Sequence, residues 1–305
     1  MTSPLTVICC YFNPGNYKSH TTRYERFKAH MQESGVRLVT VECVFPTGHV
    51  LPTGETVWQE YQVTNPGHPN HVQVNSRTPL WLKENLLNLG VMRCHTPYVM
   101  WSDMDLEFEK NWVADTIAML QYPGCLAAIP YSLLLLEQPN GQPEFQQYHT
   151  MANRKGVSSL PNVPLIGECN GGAWAFHRDA LLMAGGLFDQ HILGDGDDVL
   201  AFSMQRRPHA AIRPGMHPHT IQSIHQWASH VQDWKIGAVP SVARHHWHGS
   251  MKARGYTDRW KILIEEHFDP TTDLVRNVHD VWECTKPALT TRISAYFHAR
   301  QEDIV

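Results

Sequence analysis

Two continuous apolar runs, LTVICCY at 5–11 and VRLVTVECVF at 36–45, stand on either side of a segment with helical period. Runs without polar alternation mark strands covered on both faces, the pattern of a parallel sheet lying under helices. Between them FNPGN supplies a turn. TTRYERFKAHMQESG then places Tyr24, Phe27 and Met31 on one helical face, with Gly35 set to end the helix. The chain therefore opens β-α-β. The expected class is α/β, a mostly parallel central sheet flanked by helices.

The rest of the chain continues that pattern with interruptions. Residues 46–78 are rich in Pro, Gly and Asn, with short strand-like pieces (ETVWQEYQV and HVQV), and read as an excursion from the sheet. Helices are expected over LWLKENLLNLGVMR and NWVADTIAML, and strands over PYVMW and CLAAIPYS. Residues 137–165 are polar and Pro-rich and read as a flexible loop over a site. ECNGGAWAFHRDALLMAGG reads as strand, turn and helix, GDGDDVLAFSMQ starts another helix, and beyond 250 the pattern is mostly helical. A chain of 305 residues suits one large α/β domain or two small ones.

No apolar run approaches the length of a membrane span, and the N-terminus has neither a basic leader nor a clear cleavage site. Seven cysteines at irregular spacing suit reduced thiols. The expectation is a protein without membrane attachment, in the cytoplasm of its own cell or of a host. Charge is unevenly spread. Residues 100–199 carry 13 Asp/Glu against 4 Lys/Arg, while 206–261 carry nine basic residues, eight histidines and only Asp233 and Asp258 as acids. An acidic centre beside a basic segment suggests a cation site next to an anionic partner. A solvated surface without such meaning is the plain alternative.

The apolar run PYVMW leads straight into two carboxylates, in WSDMDLEF at 101–108. Asp is a poor strand residue. In an open α/β sheet, however, ligands bind at the carboxyl ends of strands, where Asp103 and Asp105 could converge on a hard cation. A helix cap plus a solvated acid would explain the same letters. Downstream, HHWH at 245–248 offers metal-binding imidazoles, and its H-x-x-H spacing also fits a zinc site. LGDGDD at 193–198 offers three acids at a helix start, which would otherwise serve helix-dipole complementarity.

Taken in order, LWLKENLLNLGVMRCHTPYVMWSDMDLEF, CNGGAWAFHRDAL at 169–181, FDQHILGDGDDVLAF at 188–202 and HHWHGSMKARGYTDRWKIL at 245–263 resemble the blocks of GT-A-type glycosyltransferases. The resemblance implies a catalytic domain over 1–250, with a nucleotide-sugar half (1–108) and an acceptor half (109–250), and a C-terminal helical extension over 251–305. It implies a UDP-sugar donor held with Mn²⁺ or Mg²⁺. Asp105 would be the direct metal ligand, with Asp103 on the ribose or a metal-bound water. His248 would be the third ligand, with His245 or His246 next. Tyr11, Phe12 and Asn13 would meet the base and ribose, while Arg77, Lys83, Asn88 and Met104 would complete the donor contacts. Asp197 would be the general base, with Asp198 as its partner. Asp195 would cap the turn, and a retaining transfer would need no base. Gly171, Gly172, Trp174 and Arg254 would line the acceptor side. Trp81 and Trp101 read as core residues.

The basic stretch interleaved with Trp227, Trp234, Trp247, Tyr256 and Trp260 suits a phosphate backbone. YFHARQED and HGSMKARGYTDR resemble glycosyltransferases of phages and large viruses, some of which modify 5-hydroxymethylpyrimidines in DNA. DNA carrying 5-hydroxymethylcytosine or 5-hydroxymethyluracil is thus the expected acceptor. A glycan, a lipid-linked sugar or a protein is the rival. A metal-dependent hydrolase and a non-catalytic binding module are the readings from other classes.

Overall fold

The computed structural model describes residues 3–138, 146–152, 163, 165–256 and 258–303. Strand β1 (Leu5–Phe12) pairs in parallel with β2 (Arg37–Val44), and helix α1 (Lys18–Glu33) connects them. Tyr24, Phe27 and Met31 of α1 are at most 1% exposed, so the sequence stripe is the core face. Burying Phe27 and Met31 contributes roughly 1.5–3 kcal/mol each. A two-strand ribbon follows, β3 (His49–Val50) and β4 (Thr56–Val57). The excursion is shorter than the sequence suggests, because β5 (His71–Asn75) returns to pair in parallel with β2 at the sheet edge.

Helix α2 (Lys83–Met92) lies directly on β1. A Cβ on Gly90 would stand 2.4 Å from Ile8 Cγ2, so glycine is what allows the close approach. Strand β6 (Tyr98–Ser102) pairs in parallel with β1 on its other side. β7 (Leu106–Phe108), α3 (Trp112–Leu120), β8 (Cys125–Ile129) and β9 (Leu133–Leu136) follow. The expected loop at 137–165 holds β10 (Gln146–Thr150), and β11 (Leu165–Cys169) begins at its end. The rest of that stretch lies largely outside the described residues.

β12 (Ala173–His177), α4 (Arg178–Met183), α5 (Gly196–Met204), α6 (Pro218–Val231), β13 (Lys235–Ala238) and β14 (Val242–His245) come next. The main sheet runs β13-β8-β12-β6-β1-β2-β5. It is parallel except where β12 runs against β6 and β8. A second sheet runs β11-β10-β9-β14-β7. This is the mixed α/β arrangement, mostly parallel and flanked by helices, that the sequence predicts. β14 pairs with β7, and this sets HHWH beside the DMD turn.

The C-terminal part is less helical than expected. Beside α7 (Met251–Arg254), α8 (Lys261–Glu265), α9 (Pro270–Asp273) and α10 (Pro287–Ala299) it holds a hairpin of β15 (Leu274–Arg276) and β16 (Trp282–Cys284). Its end is tied to the start of the chain. Tyr17 Oη donates to Phe297 O or His298 O, 2.7 Å from each, and the Asp303 carboxylate accepts from Lys18 N and Ser19 N. Among the described residues no helix is long and apolar enough to cross a membrane. All seven cysteines are free thiols.

Candidate active site

A cavity of about 470 Å³ opens over the carboxyl ends of β1 and β6. β6 ends at Ser102, and the Asp103 amide donates to Gly172 O at 2.8 Å, which fixes the turn that follows. The two aspartates then face different partners. Asp103 Oδ1 lies 2.6 Å from Lys83 Nζ, which sits 4.2 Å over the Trp101 ring. Burial opposes the charge on Lys83, but the carboxylates of Asp103, Asp197 and Glu84 outweigh it and hold the ammonium above its usual range.

Asp105 turns to the histidines. Its Oδ2 lies 2.6 Å from His248 Nε2 and 3.4 Å from His245 Nε2, and its carbonyl accepts the His246 amide at 2.8 Å. Burial is the largest influence on His245 and, helped by His248 and Arg254, pushes its imidazole down to about 4. A neutral imidazole is the form that binds metal. Burial works against ionisation of Asp105, but His245, His248 and Arg254 keep its carboxyl well below the usual range. Its Oδ1 is buried and has no hydrogen-bond partner among the described residues. One carboxylate and two imidazoles on one point, with that oxygen unspent, fit a divalent cation. His246 faces the other way, toward Glu107 and Glu137 at 3.2 and 2.9 Å.

Behind the triad stands a buried carboxylate that the sequence did not single out. Glu302 Oε2 is 3.6 Å from His248 Nδ1, and the same residue takes His20, Arg23 and Arg300. Burial would raise its carboxyl, but His20 and Arg300 hold it well below the ordinary range. Arg254, Arg259 and Arg300, each about 6% exposed or less, also line the cavity. Arg259 and Arg300 lie 5.1 and 5.2 Å from the Trp81 ring, which stacks on Phe297. Arg254 pairs with no carboxylate among the described residues, and its Nε is buried without a partner.

The segment opening α5 presents a second group of acids to the same cavity. Asp195 precedes the helix at φ 68° and makes no capping hydrogen bond. It serves instead as an anchor for Arg259 at 2.6 Å and Arg213 at 3.6 Å, which replaces the capping role expected for it. Asp198 is engaged on both oxygens, by Asn170 Nδ2 and by Arg213 Nη2, each at 2.8 Å. Asp197 lines the cavity and, among the described residues, accepts only from the Asp198 amide, at 3.1 Å. Glu84 lies against Gly196, and burial, opposed by Lys83 and aided by Asp197, pushes its carboxyl up to about 8.

No family model matches the chain, and no curated protein matches it. Solved structures of S. aureus TarS align with it at low identity. Residues 1–349 of TarS in complex with UDP-GlcNAc align with a TM-score of 0.42 and 10% identity over 82% of this chain. The same fragment with UDP aligns with a TM-score of 0.40 and 10% identity over 81%. This chain spans about 60% of the length of those fragments.

Of the residues expected at a site, Phe12, Lys83, Asp103, Met104, Asp105, Gly171, Gly172, Asp197, Asp198, His245, His248 and Arg254 line this cavity. Others do not. Tyr11 and Asn13 are fully buried, and Asn13 clamps the turn by bonding both the amide and the carbonyl of Tyr17. Arg77 is drawn away by Glu283 at 3.0 Å. Asn88 braces the loop at Leu187, accepting from its amide and donating to its carbonyl. Trp174 is buried and donates to Asn170 O, so it supports the floor from the core. Trp101 is core as expected, but Trp81 lines the cavity. The glycines have an internal reason to lack side chains. A Cβ on Gly171 would stand 2.2 Å from Asp197 Oδ2, and one on Gly172 (φ 98°) 2.2 Å from Tyr131 Oη.

Proposed function

We propose that this chain is a metal-dependent glycosyltransferase that moves a sugar from a UDP-sugar to a hydroxyl acceptor. The observation that carries the reading is a single cavity lined by both a carboxylate–imidazole triad and the Asp197 carboxylate. Asp105, His245 and His248 would hold the cation. Two imidazoles suit Mn²⁺ better than Mg²⁺, which prefers oxygen. A divalent cation there supplies Lewis-acid stabilisation to the departing diphosphate. Arg254 adds a fixed positive charge next to that position, and Lys83 a second one held by Asp103.

Asp197 takes the proton of the acceptor hydroxyl in this reading, because Asp198 is committed to Asn170 and Arg213. Residues 1–250 are then the catalytic body, with 1–108 on the donor and 109–250 on the acceptor, and 251–305 completes the metal end. The acceptor we favour is the hydroxymethyl group of 5-hydroxymethylcytosine or 5-hydroxymethyluracil in DNA, on the strength of the sequence resemblance. The basic segment supports it less than its composition suggests, since Arg254 and Arg259 are buried in the cavity and Arg213 pairs with Asp198. The test is incubation of hydroxymethylated duplex DNA with Mn²⁺ and a pool of UDP-sugars, followed by mass spectrometry of the nucleosides. A mass gain of one sugar supports donor and acceptor together. UDP release without a gain keeps the transferase and removes this acceptor.

A further inference from the structure

A second group of possible metal donors lies outside the cavity, where α6 meets α9. His217 and His219 flank Pro218 at the start of α6, and Asp269 immediately precedes α9. His219 Nδ1 lies 2.9 Å from Asp269 Oδ2, and His217 Nδ1 lies 3.8 Å from Asp269 Oδ1. All three donor atoms fall within 4.8 Å of one another. Ligands about 2.1 Å from a tetrahedral zinc are spaced about 3.4 Å apart, so these separations need only small side-chain movements.

Two of the three groups have another task. His217 Nδ1 accepts the His219 amide at 3.3 Å, and Asp269 Oδ1 accepts the Thr271 amide at 2.9 Å. Helix capping alone would account for both. It does not account for His219, whose ring caps nothing and yet points its Nδ1 at the Asp269 carboxylate and at Thr271 Oγ1, 3.1 Å away. The His219 side chain is 49% exposed, so a cation can reach it from solvent.

We propose that His217, His219 and Asp269 form a second divalent-metal site of the zinc class, with water completing the coordination. Imidazole and carboxylate together favour zinc over calcium or magnesium. The site ties α6 to α9 and steadies the turn that begins at Arg213, the residue holding Asp198. It is independent of the function proposed for the cavity.

The test is zinc titration of the metal-stripped full chain against a chromophoric chelator, with wild type, His219→Ala, His217→Ala and Asp105→Ala side by side. One zinc equivalent should persist in Asp105→Ala. In His219→Ala and His217→Ala that equivalent should be lost or weakened at least tenfold, with circular dichroism unchanged. In Asp105→Ala, zinc should also slow carbethoxylation of His219, mapped by mass spectrometry, a readout that leaves the site intact. Equal zinc stoichiometry and affinity in wild type and His219→Ala overturn the proposal. So does loss of all tight zinc binding in Asp105→Ala, or unchanged modification of His219.

Discussion

His248 Nε2 lies 2.6 Å from Asp105 Oδ2, and on its far side His248 Nδ1 lies 3.6 Å from the Glu302 carboxylate. A carboxylate behind a metal-binding imidazole fixes the ring and raises its basicity. Glu302→Gln should therefore weaken Mn²⁺ affinity about 10-fold to 100-fold without altering any proposed ligand. Metal titration followed by Mn²⁺ electron paramagnetic resonance measures this. Unchanged affinity would show that Glu302 serves only Arg300, Arg23 and His20.

The two neighbouring acids of α5 should separate kinetically. Asp197→Asn should bind UDP as wild type does and lose transfer by about 10²-fold to 10⁴-fold. Asp198→Asn loosens Arg213, leaving it to Asp195 at 3.6 Å, and should raise the acceptor KM more than it lowers kcat. Steady-state kinetics on both variants decide the assignment, and retained transfer in Asp197→Asn places the base elsewhere.

Gly171→Ala probes the same acid from the backbone side. The new methyl would collide with Asp197 Oδ2, so the carboxylate must turn away. Transfer should fall by at least tenfold while donor affinity stays within twofold of wild type, because only the proposed general base is displaced. Wild-type turnover would mean that the position of Asp197 is not critical.

Stability should carry the mark of Glu84. Its carboxyl is raised from 4.5 to about 8 in the folded chain, chiefly by burial. The folded state thus favours the protonated acid. The contribution is fully present below the unfolded pKa and is lost as pH climbs from about 4.5 through about 8. Glu84→Gln should therefore be more stable than wild type at pH 8.5, by at least ~1 kcal/mol, and nearly equal to it at pH 4.5. Urea unfolding at the two pH values reads the difference.

Much of this site was legible in the sequence because strand ends and turns announce themselves. PYVMW running into DMD marks a carboxyl strand end, and LGDGDD marks a helix start. HHWH follows directly from β14, whose pairing with β7 brings it to Asp105. What was not legible depends on contacts between distant segments. Glu302 looks like a terminal solvated acid until α10 delivers it to His248. Arg77 looks like a phosphate ligand until Glu283 of the β15–β16 hairpin claims it. Trp81 reads as core because hydropathy cannot distinguish a buried ring from one that lines a cavity beneath arginines. HVQV reads as part of an excursion because its neighbours are turn formers, and only pairing with β2 makes it a sheet edge.

Calorimetric titration of UDP shows whether a nucleotide-sugar site here depends on a metal held by Asp105. Wild type should bind UDP in Mn²⁺, and affinity should fall at least tenfold both in EDTA and in Asp105→Ala. Equal affinity in all three conditions, or no UDP binding in any of them, would contradict the account.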